Sequence, residues 1–390
     1  MKQGWEHKKL GEVCTIERGG SPRPITDYIT DSEDGINWIK IGDAQEGSKY
    51  ITSTKEKIRP EGIKKSRFVH KGDFILSNSM SFGRPYILKV DGCIHDGWLV
   101  IHDDNEVFIK DYLYYILSSS IMYAKFSQLA VGGVVNNLNS SLVRKVAIPI
   151  PPKSTQLSIV SELDKINELI RLKKEQLKDY DNLAQSIFYE MFGDPVENEK
   201  GWEVKKLGEV CTIERGSSPR PITAYITDSK DGINWIKIGD AQEGSKYITS
   251  TKEKIKPEGL KKSRFVHKGD FILSNSMSFG KPYILKIDGC IHDGWLVIHD
   301  NNNVFIKIYL YYLLASSIMY AKFSKLAVGG VVNNLNSSLV RKVYVSIPPL
   351  PLQHLFAQRI EQIEHQKSEV TKAITDLETL LASRMQHWFE

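Results

Sequence analysis

Cysteine is scarce. The 390 residues hold four, Cys14 and Cys93 with Cys211 and Cys290, and no two stand in a C-x-x-C spacing. That argues against a disulfide framework or a thiolate zinc site and reads as reduced thiols in apolar strands. Long hydrophobic runs are missing as well. No stretch of 18 apolar residues occurs, so no membrane span is expected, and the opening MKQGWEHKKL lacks an apolar signal core; the expectation is a cytoplasmic protein. Neither sign of charge dominates, with 52 Lys and Arg against 47 Asp and Glu, so net charge alone selects no partner. Catalytic signatures are absent too. There is no G-x-x-x-x-G-K-[ST] loop to cradle a nucleotide's phosphates, and no Asn/Asp-Pro-Pro-Tyr/Phe segment of the kind with which amino-methyltransferases grip a flipped adenine. His95-Asp96 and His102-Asp103 have metal-ligand chemistry but no spaced carboxylates to complete a coordination set, and read as polar residues at strand ends. No metal and no cofactor is expected on this chain.

What the chain does have is the same text twice. Residues 4–152 reappear as 201–349 at a constant offset of 197, and 17 of the 149 aligned positions differ, among them His7/Val204, Asp27/Ala224, Arg84/Lys281 and Asp111/Ile308. A unit of this size is a domain rather than a solenoid repeat, and 41% hydrophobic residues are enough to give each copy a core. Two copies of one domain imply two copies of one site.

After each copy comes a stretch free of Gly and Pro, 154–192 and 352–389, that reads as a long helix. Apolar residues step by four and three through Ile159, Leu163, Ile166, Ile170, Leu177, Tyr180, Ala184, Ile187 and Met191, with only Lys173 breaking the series. The second series is Phe356, Ile360, Ile363, Val370, Ile374, Leu377, Leu381 and Trp388, broken at Lys367 and Arg384. This is a heptad seam, which needs a partner helix. Chain order makes the two helices antiparallel partners, forming a rod roughly 55 Å long at 1.5 Å rise per residue with a domain at each end and a twofold axis across its middle. The alternatives are that each helix packs on its own domain, or that helices from two chains pair in parallel. The expected boundaries are 1–152 for the first domain, 153–193 for the first helix, 194–349 for the second domain with its entry linker, and 350–390 for the second helix.

Each domain reads as α+β. Short β-prone runs (Val13 to Ile16, Trp38 to Ile41, Phe74 to Leu76, Tyr86 to Leu88 and Trp98 to Ile101) are bounded by Gly, Pro, Asp and Asn, and 110–129 has helical periodicity. Function is expected in the loops. The segment 55–71 is dense in Lys and Arg, with Lys64, Lys65 and Arg67 repeated as Lys261, Lys262 and Arg264, which suits phosphate contacts. Arg18, Ser21 and Arg23 stand on a Gly/Pro loop after a strand, copied as Arg215, Ser218 and Arg220. Gln45 and Gln242 lie in a further loop. The loop 77–85 carries Asn78, Ser79 and Arg84, copied as Asn275, Ser276 and Lys281. Asn136 and Asn137 lie beside Gly132-Gly133, copied as Asn333 and Asn334. Arg reads guanine and Asn or Gln reads adenine by paired hydrogen bonds in the major groove, so these are the candidate DNA contacts; each loop also has a plain reading as turn chemistry.

Trp5, Lys9-Leu10-Gly11-Glu12-Val13, Trp38-Ile39-Lys40-Ile41-Gly42-Asp43, Lys71-Gly72-Asp73-Phe74-Ile75-Leu76-Ser77, and Pro149-Ile150-Pro151-Pro152 with Gln156 leading into a long helix together give each copy a family likeness. The second copy repeats them with Ser346 in place of the first proline. Each copy resembles the target recognition domain of type I restriction-modification specificity subunits, and the likeness covers essentially the whole chain. It implies a non-catalytic subunit that reads a bipartite DNA target, one half-site per domain, with the paired helices fixing the spacing. It further implies two methyltransferase subunits docked along the helices and carrying S-adenosylmethionine, restriction subunits using ATP and Mg²⁺, and a bacterial or archaeal cytoplasm. Members generally carry two unlike domains, whereas here they are nearly identical, so twofold-related readers should select an inverted repeat. The competing readings are a two-headed protein scaffold, which would show no DNA affinity at low salt, and a stand-alone metal-dependent nuclease using His95, Asp96 and His102.

Overall fold

The computed structural model describes residues 4–45, 47–78, 83–129, 138–242, 244–275, 280–327 and 335–390. Its contacts divide into two units, Met1–Lys174 with Lys372–Glu390, and Glu175–Thr371. The division runs through the long helices, so each unit holds one copy of the repeat, the first half of the helix that leaves it, and the last half of the other helix.

In the first unit, two five-stranded sheets carry the domain. One has the order Thr15–Arg18, Trp98–His102, Phe74–Ser77, Pro85–Leu88, Tyr50–Ile51; the other has Ile29–Thr30, Glu56–Ile58, Ile36–Ile39, Gly92–Ile94, Arg67–Val69. Alternation along the central strands explains why they read as continuous apolar runs. Ile75, Trp98 and Val100 face the second sheet and join Ile39, Val69 and Ile94 in one cluster. Phe74, Leu76, Leu99 and Ile101 point the other way, into a larger core shared with Tyr112, Ile116 and Phe126 and with Ile159 and Leu163 of the long helix. A two-stranded ribbon, Glu6–Lys9 against Ala147–Ile150, brings the start of the domain beside its end. The second unit repeats both sheet orders and the ribbon.

Three expectations shift locally. The strand expected from Val13 begins at Thr15, because Leu10–Val13 forms one helical turn in which the Glu12 carboxylate accepts from Lys9 N. The strand through Trp38 ends at Ile39, where the Asp43 carboxylate accepts from Lys40 N at 2.8 Å and starts a 3-10 turn. The helix expected over 110–129 is two, Lys110–Ser118 and Ser120–Leu129. Ser119 divides them: its hydroxyl donates to the Ile116 carbonyl and accepts from Met122 N, so one side chain ends the first helix and caps the second.

The long helices span Lys153–Phe192 and Leu350–Phe389. Of the seam residues, Ile159, Leu163, Ile166, Ile170, Ile360, Ile363, Val370 and Ile374 are buried, and Leu177 and Leu377 are half-buried. In the first unit Glu162 meets Arg384, and Lys174 meets Glu378 at 2.9 Å; in the second, Asp181 meets Lys367 at 2.6 Å and the Phe188 and Phe356 rings lie 5.7 Å apart. As numbers rise on one helix they fall on the other, so within each unit the halves run antiparallel. Lys367 and Arg384, where the apolar series breaks, are thus cross-helix ion-pair partners. Such polar positions in an apolar seam fix register more than they add stability. The alternative in which each helix packs on its own domain also holds in part. Ile159 and Leu163 share the first domain's core with Phe389 from the opposite helix, and Phe356 and Ile360 share the second's with Phe188 and Phe192. Among the described residues no helix is long and apolar enough to cross a membrane.

Candidate functional site

The turn between the strands Gly92–Ile94 and Trp98–His102 is where the scattered loops meet. The Asp96 carbonyl accepts from Arg18 Nε at 3.0 Å and from Asn78 Nδ2 at 2.9 Å, while its carboxylate accepts from Ser21 Oγ at 2.7 Å and lies 3.6 Å from the Arg23 guanidinium. Residues from two separate segments, 18–23 and Asn78, up to 78 positions away from Asp96 in the chain, are tied to this one residue. Arg67 joins from the basic stretch, donating to the Arg18 carbonyl and pairing with Glu17 at 2.8 Å. Lys65 Nζ reaches the Tyr28 hydroxyl at 2.6 Å and lies over its ring, leaving Lys64 exposed beside it. Close backbone contact is built in: a Cβ on Gly19 would lie 2.2 Å from the His95 carbonyl oxygen.

The second unit reproduces the knot. The Asp293 carbonyl accepts from Arg215 at 2.9 Å and Asn275 at 3.0 Å, and its carboxylate accepts from Ser218 at 2.8 Å and lies 3.5 Å from Arg220. Arg264 pairs with Glu214, Lys262 meets the Tyr225 hydroxyl, and Lys261 is exposed.

These placements sort the candidates. Arg18 and Arg215 are exposed but anchored; Arg23 and Arg220 keep 82% and 81% of their side chains exposed and project beside a groove of about 580 Å³ in the first unit and 880 Å³ in the second, floored by Trp38 or Trp235. Among the candidate DNA contacts, Asn78 and Asn275 are buried. They are 0% and 1% exposed, because each spends its side-chain NH₂ on the turn and its backbone on Gly97 and Leu138, or Gly294 and Leu335. Their role here is to hold the turn. Arg84 lies away from the knot, lining a groove of about 500 Å³ with Ser48, Tyr114 and Tyr123, and Gln45 is exposed nearby, its carbonyl accepting from Ser48 N. Gln242 and Lys281 are exposed in the second unit. Ser79, Asn136, Asn137, Ser276, Asn333 and Asn334 lie outside the described residues.

Sequence reading missed Asp96 and Asp293 as organisers. The His-Asp pairs have metal-ligand chemistry, yet among the described residues no group of three or more His, Cys, Asp or Glu is disposed to hold an ion. His102 stands 3.8 Å from Asp73, and the Asp103 carboxylate accepts from Val107 N and Phe108 N. Ser21 holds the Asp96 carboxyl below the usual carboxylate range through its hydroxyl bond. Burial pushes the His95 and His292 imidazoles down from 6.5, and Nδ1 of each accepts from the glycine two residues on, at 2.6 Å, a bond that protonation there removes.

A pH dependence follows. The unfolded imidazole takes up a proton first, so the folded state is fully favoured above about 6.5 and loses stability as pH falls below it. Thermal melting between pH 8 and 5 should show this loss, and a His95→Gln/His292→Gln chain should melt with a flatter pH profile; equal slopes for both chains would refute the assignment.

The family profile described as "Type I restriction modification DNA specificity domain" matches residues 2–179 and again 199–379. The chain is 25% identical over 394 residues to the Type I restriction enzyme MjaIX specificity subunit of Methanocaldococcus jannaschii, covering 93% of this chain and 87% of that one. It is 19% identical over 402 residues to the Type I restriction enzyme EcoBI specificity subunit of Escherichia coli, covering 96% and 82%. Among solved structures, a chain from work on complex assembly and conformational transition of the type I R-M system superposes with a TM-score of 0.68 at 19% identity, covering 99% of this chain and 97% of that one; the two share a fold.

Proposed function

The chain belongs to the type I restriction-modification DNA specificity family, and from that premise we propose that this non-catalytic subunit reads a bipartite DNA target made of two inverted half-sites, one per recognition domain. The observation that carries the reading is the recurrence of the same knot, on Asp96 and on Asp293, with the same Arg, Ser and Asn partners. Identical readers placed by a twofold select reverse-complementary sequences. Lys64, Lys65, Arg67 and their copies supply phosphate contacts, which position without specifying; Arg23, Gln45 and Arg84, with Arg220, Gln242 and Lys281, are the exposed candidates for base edges. Ser79, Asn136 and Asn137 and their copies complete the proposed reading set.

The antiparallel helix halves favour a spacer that sets the distance between half-sites. Two methyltransferase subunits dock along those helices, where Leu157, Leu169 and Leu172 of the first and Leu355 and Leu380 of the second are exposed. They carry S-adenosylmethionine and flip one adenine per half-site, and restriction subunits with ATP and Mg²⁺ join for cleavage. The cytoplasm, where the DNA is, is the setting.

Co-expression with the partner methyltransferase and long-read mapping of methylated adenines tests the proposal. The expected motif is half-site, unspecified spacer, reverse-complement half-site, with the two halves differing in stringency if Arg84/Lys281 makes a bidentate contact with guanine, where Lys is not an equivalent of Arg. Two unrelated half-sites would overturn the symmetric target, and a stable complex that methylates nothing would overturn the DNA role.

A further inference from the structure

The two units meet one electrostatic demand in two ways. Lys49 and its copy Lys246 stand just before the strands Tyr50–Ile51 and Tyr247–Ile248, each ammonium among three tyrosine rings. Lys49 Nζ lies 5.8, 5.1 and 5.3 Å from the ring centroids of Tyr50, Tyr114 and Tyr115. Lys246 Nζ lies 5.8, 5.9 and 5.5 Å from those of Tyr247, Tyr311 and Tyr312. Both side chains are withdrawn from water, 19% and 7% exposed, and an ammonium so placed needs a counter-charge.

In the first unit the carboxylate is Asp111, at 2.5 Å, on the helix Lys110–Ser118 of the recognition domain itself. In the second unit Ile308 stands at that position, and the carboxylate is Glu364, at 2.8 Å, on the long helix. The position equivalent to Glu364 on the first long helix is Asn167, whose amide donates to the Tyr115 hydroxyl and to the Leu163 carbonyl, both at 3.0 Å. The equivalence is secure, because Gln156 and Gln353, 197 apart, make the same three bonds at the two helix starts, to Ile109, Val107 and Pro151 and to Ile306, Val304 and Pro348. The acidic group stands on the domain in the first unit and on the long helix in the second, and a neutral residue, Asn167 or Ile308, stands at the other place.

We infer that this relocated carboxylate matches each recognition domain to its own helix half, so that two domains differing at 17 of 149 positions are not interchangeable on their seats. Seating the first domain's sequence on the second helix would set Asp and Glu together on one lysine. Seating the second domain's sequence on the first helix would remove the carboxylate that pairs with the lysine. The inference uses the proposed DNA role only for its consequence, that the seat fixes how the reading loops are presented; the match itself is tested without DNA.

Two reciprocal double-mutant cycles in the full chain, read by hydrogen exchange, decide it. In the second unit Glu364→Gln should speed exchange in Tyr247–Ile248 and Lys307–Ala315 by about tenfold, Ile308→Asp alone should also speed it, and the two together should return close to the parent. In the first unit Asp111→Ile should act likewise on Tyr50–Ile51 and Lys110–Ser118, with Asn167→Glu restoring protection. Glu364 also lies 3.9 Å from Lys367, itself paired with Asp181, whereas Ile170 occupies the Lys367 position in the first unit, so the reciprocal cycle removes that neighbour from the comparison. Losses that simply add in both cycles would overturn the match.

Discussion

Replacing Phe188 with alanine is expected to lower the stability of the Glu175–Thr371 unit by about 3–5 kcal/mol, the cost of an unfilled aromatic cavity in a packed core. The ring is 2% exposed and meets Phe192 at 5.3 Å, Tyr309 at 5.8 Å and Phe356 at 5.7 Å between centroids. These neighbours come from both long helices and from the domain, so the cavity opens where all three join and cannot close by moving one element. At about 2–4 °C per kcal/mol for a unit of this size, melting should begin roughly 10 °C lower. Leu183→Ala, on the same helix but 46% exposed, should change stability by less than about 0.5 kcal/mol. Comparable losses for the two variants would mean that the aromatic cluster is not the joint described.

Asp96→Ala combined with Asp293→Ala is expected to cut sequence-specific DNA affinity by about 10- to 100-fold, the scale of one or two misplaced base contacts, while non-specific affinity stays level or rises. The sign of the second effect matters. Removing two carboxylates from a face rich in Lys and Arg strengthens phosphate attraction, so a fall in specific binding alone comes from loss of position, once Ser21 and Arg23 are no longer held to the turn. Both carboxylates are 42% exposed, which keeps the folding cost near 1 kcal/mol. Asp96→Asn with Asp293→Asn, which still accepts from the serine hydroxyls, should lose less. Filter binding or fluorescence anisotropy on the mapped site and on an unrelated duplex would read both quantities, and a parallel fall on the two DNAs would assign the effect to unfolding.

Much of the fold is legible along the chain because its determinants are local. Alternating burial shows in the apolar strands around Phe74 and Trp98, and a four-and-three step shows in the long helices, since each pattern repeats within a turn or a pleat. The break at Ser119 is less visible: three consecutive serines interrupt a helical periodicity that continues on both sides, and only the double use of one hydroxyl ends the helix. The site is harder still. Asn78 and Arg23 are equally polar in a sequence, yet one is sealed beneath Asp96 and the other projects into water, a difference set by partners far away in the chain.

That there are two copies of one reader, that each is followed by a helix requiring a partner, and to which family the motifs belong can be read from the chain alone; repetition, periodicity and motif order are written in one dimension. Which polar side chains remain available, that Asp96 and Asp293 gather the loops, and that equivalent lysines pair with Asp111 in one unit and Glu364 in the other became visible in three dimensions. Hydrogen bonds and ion pairs act over a few ångströms in space, and chain order carries no record of which distant residues folding brings within that reach.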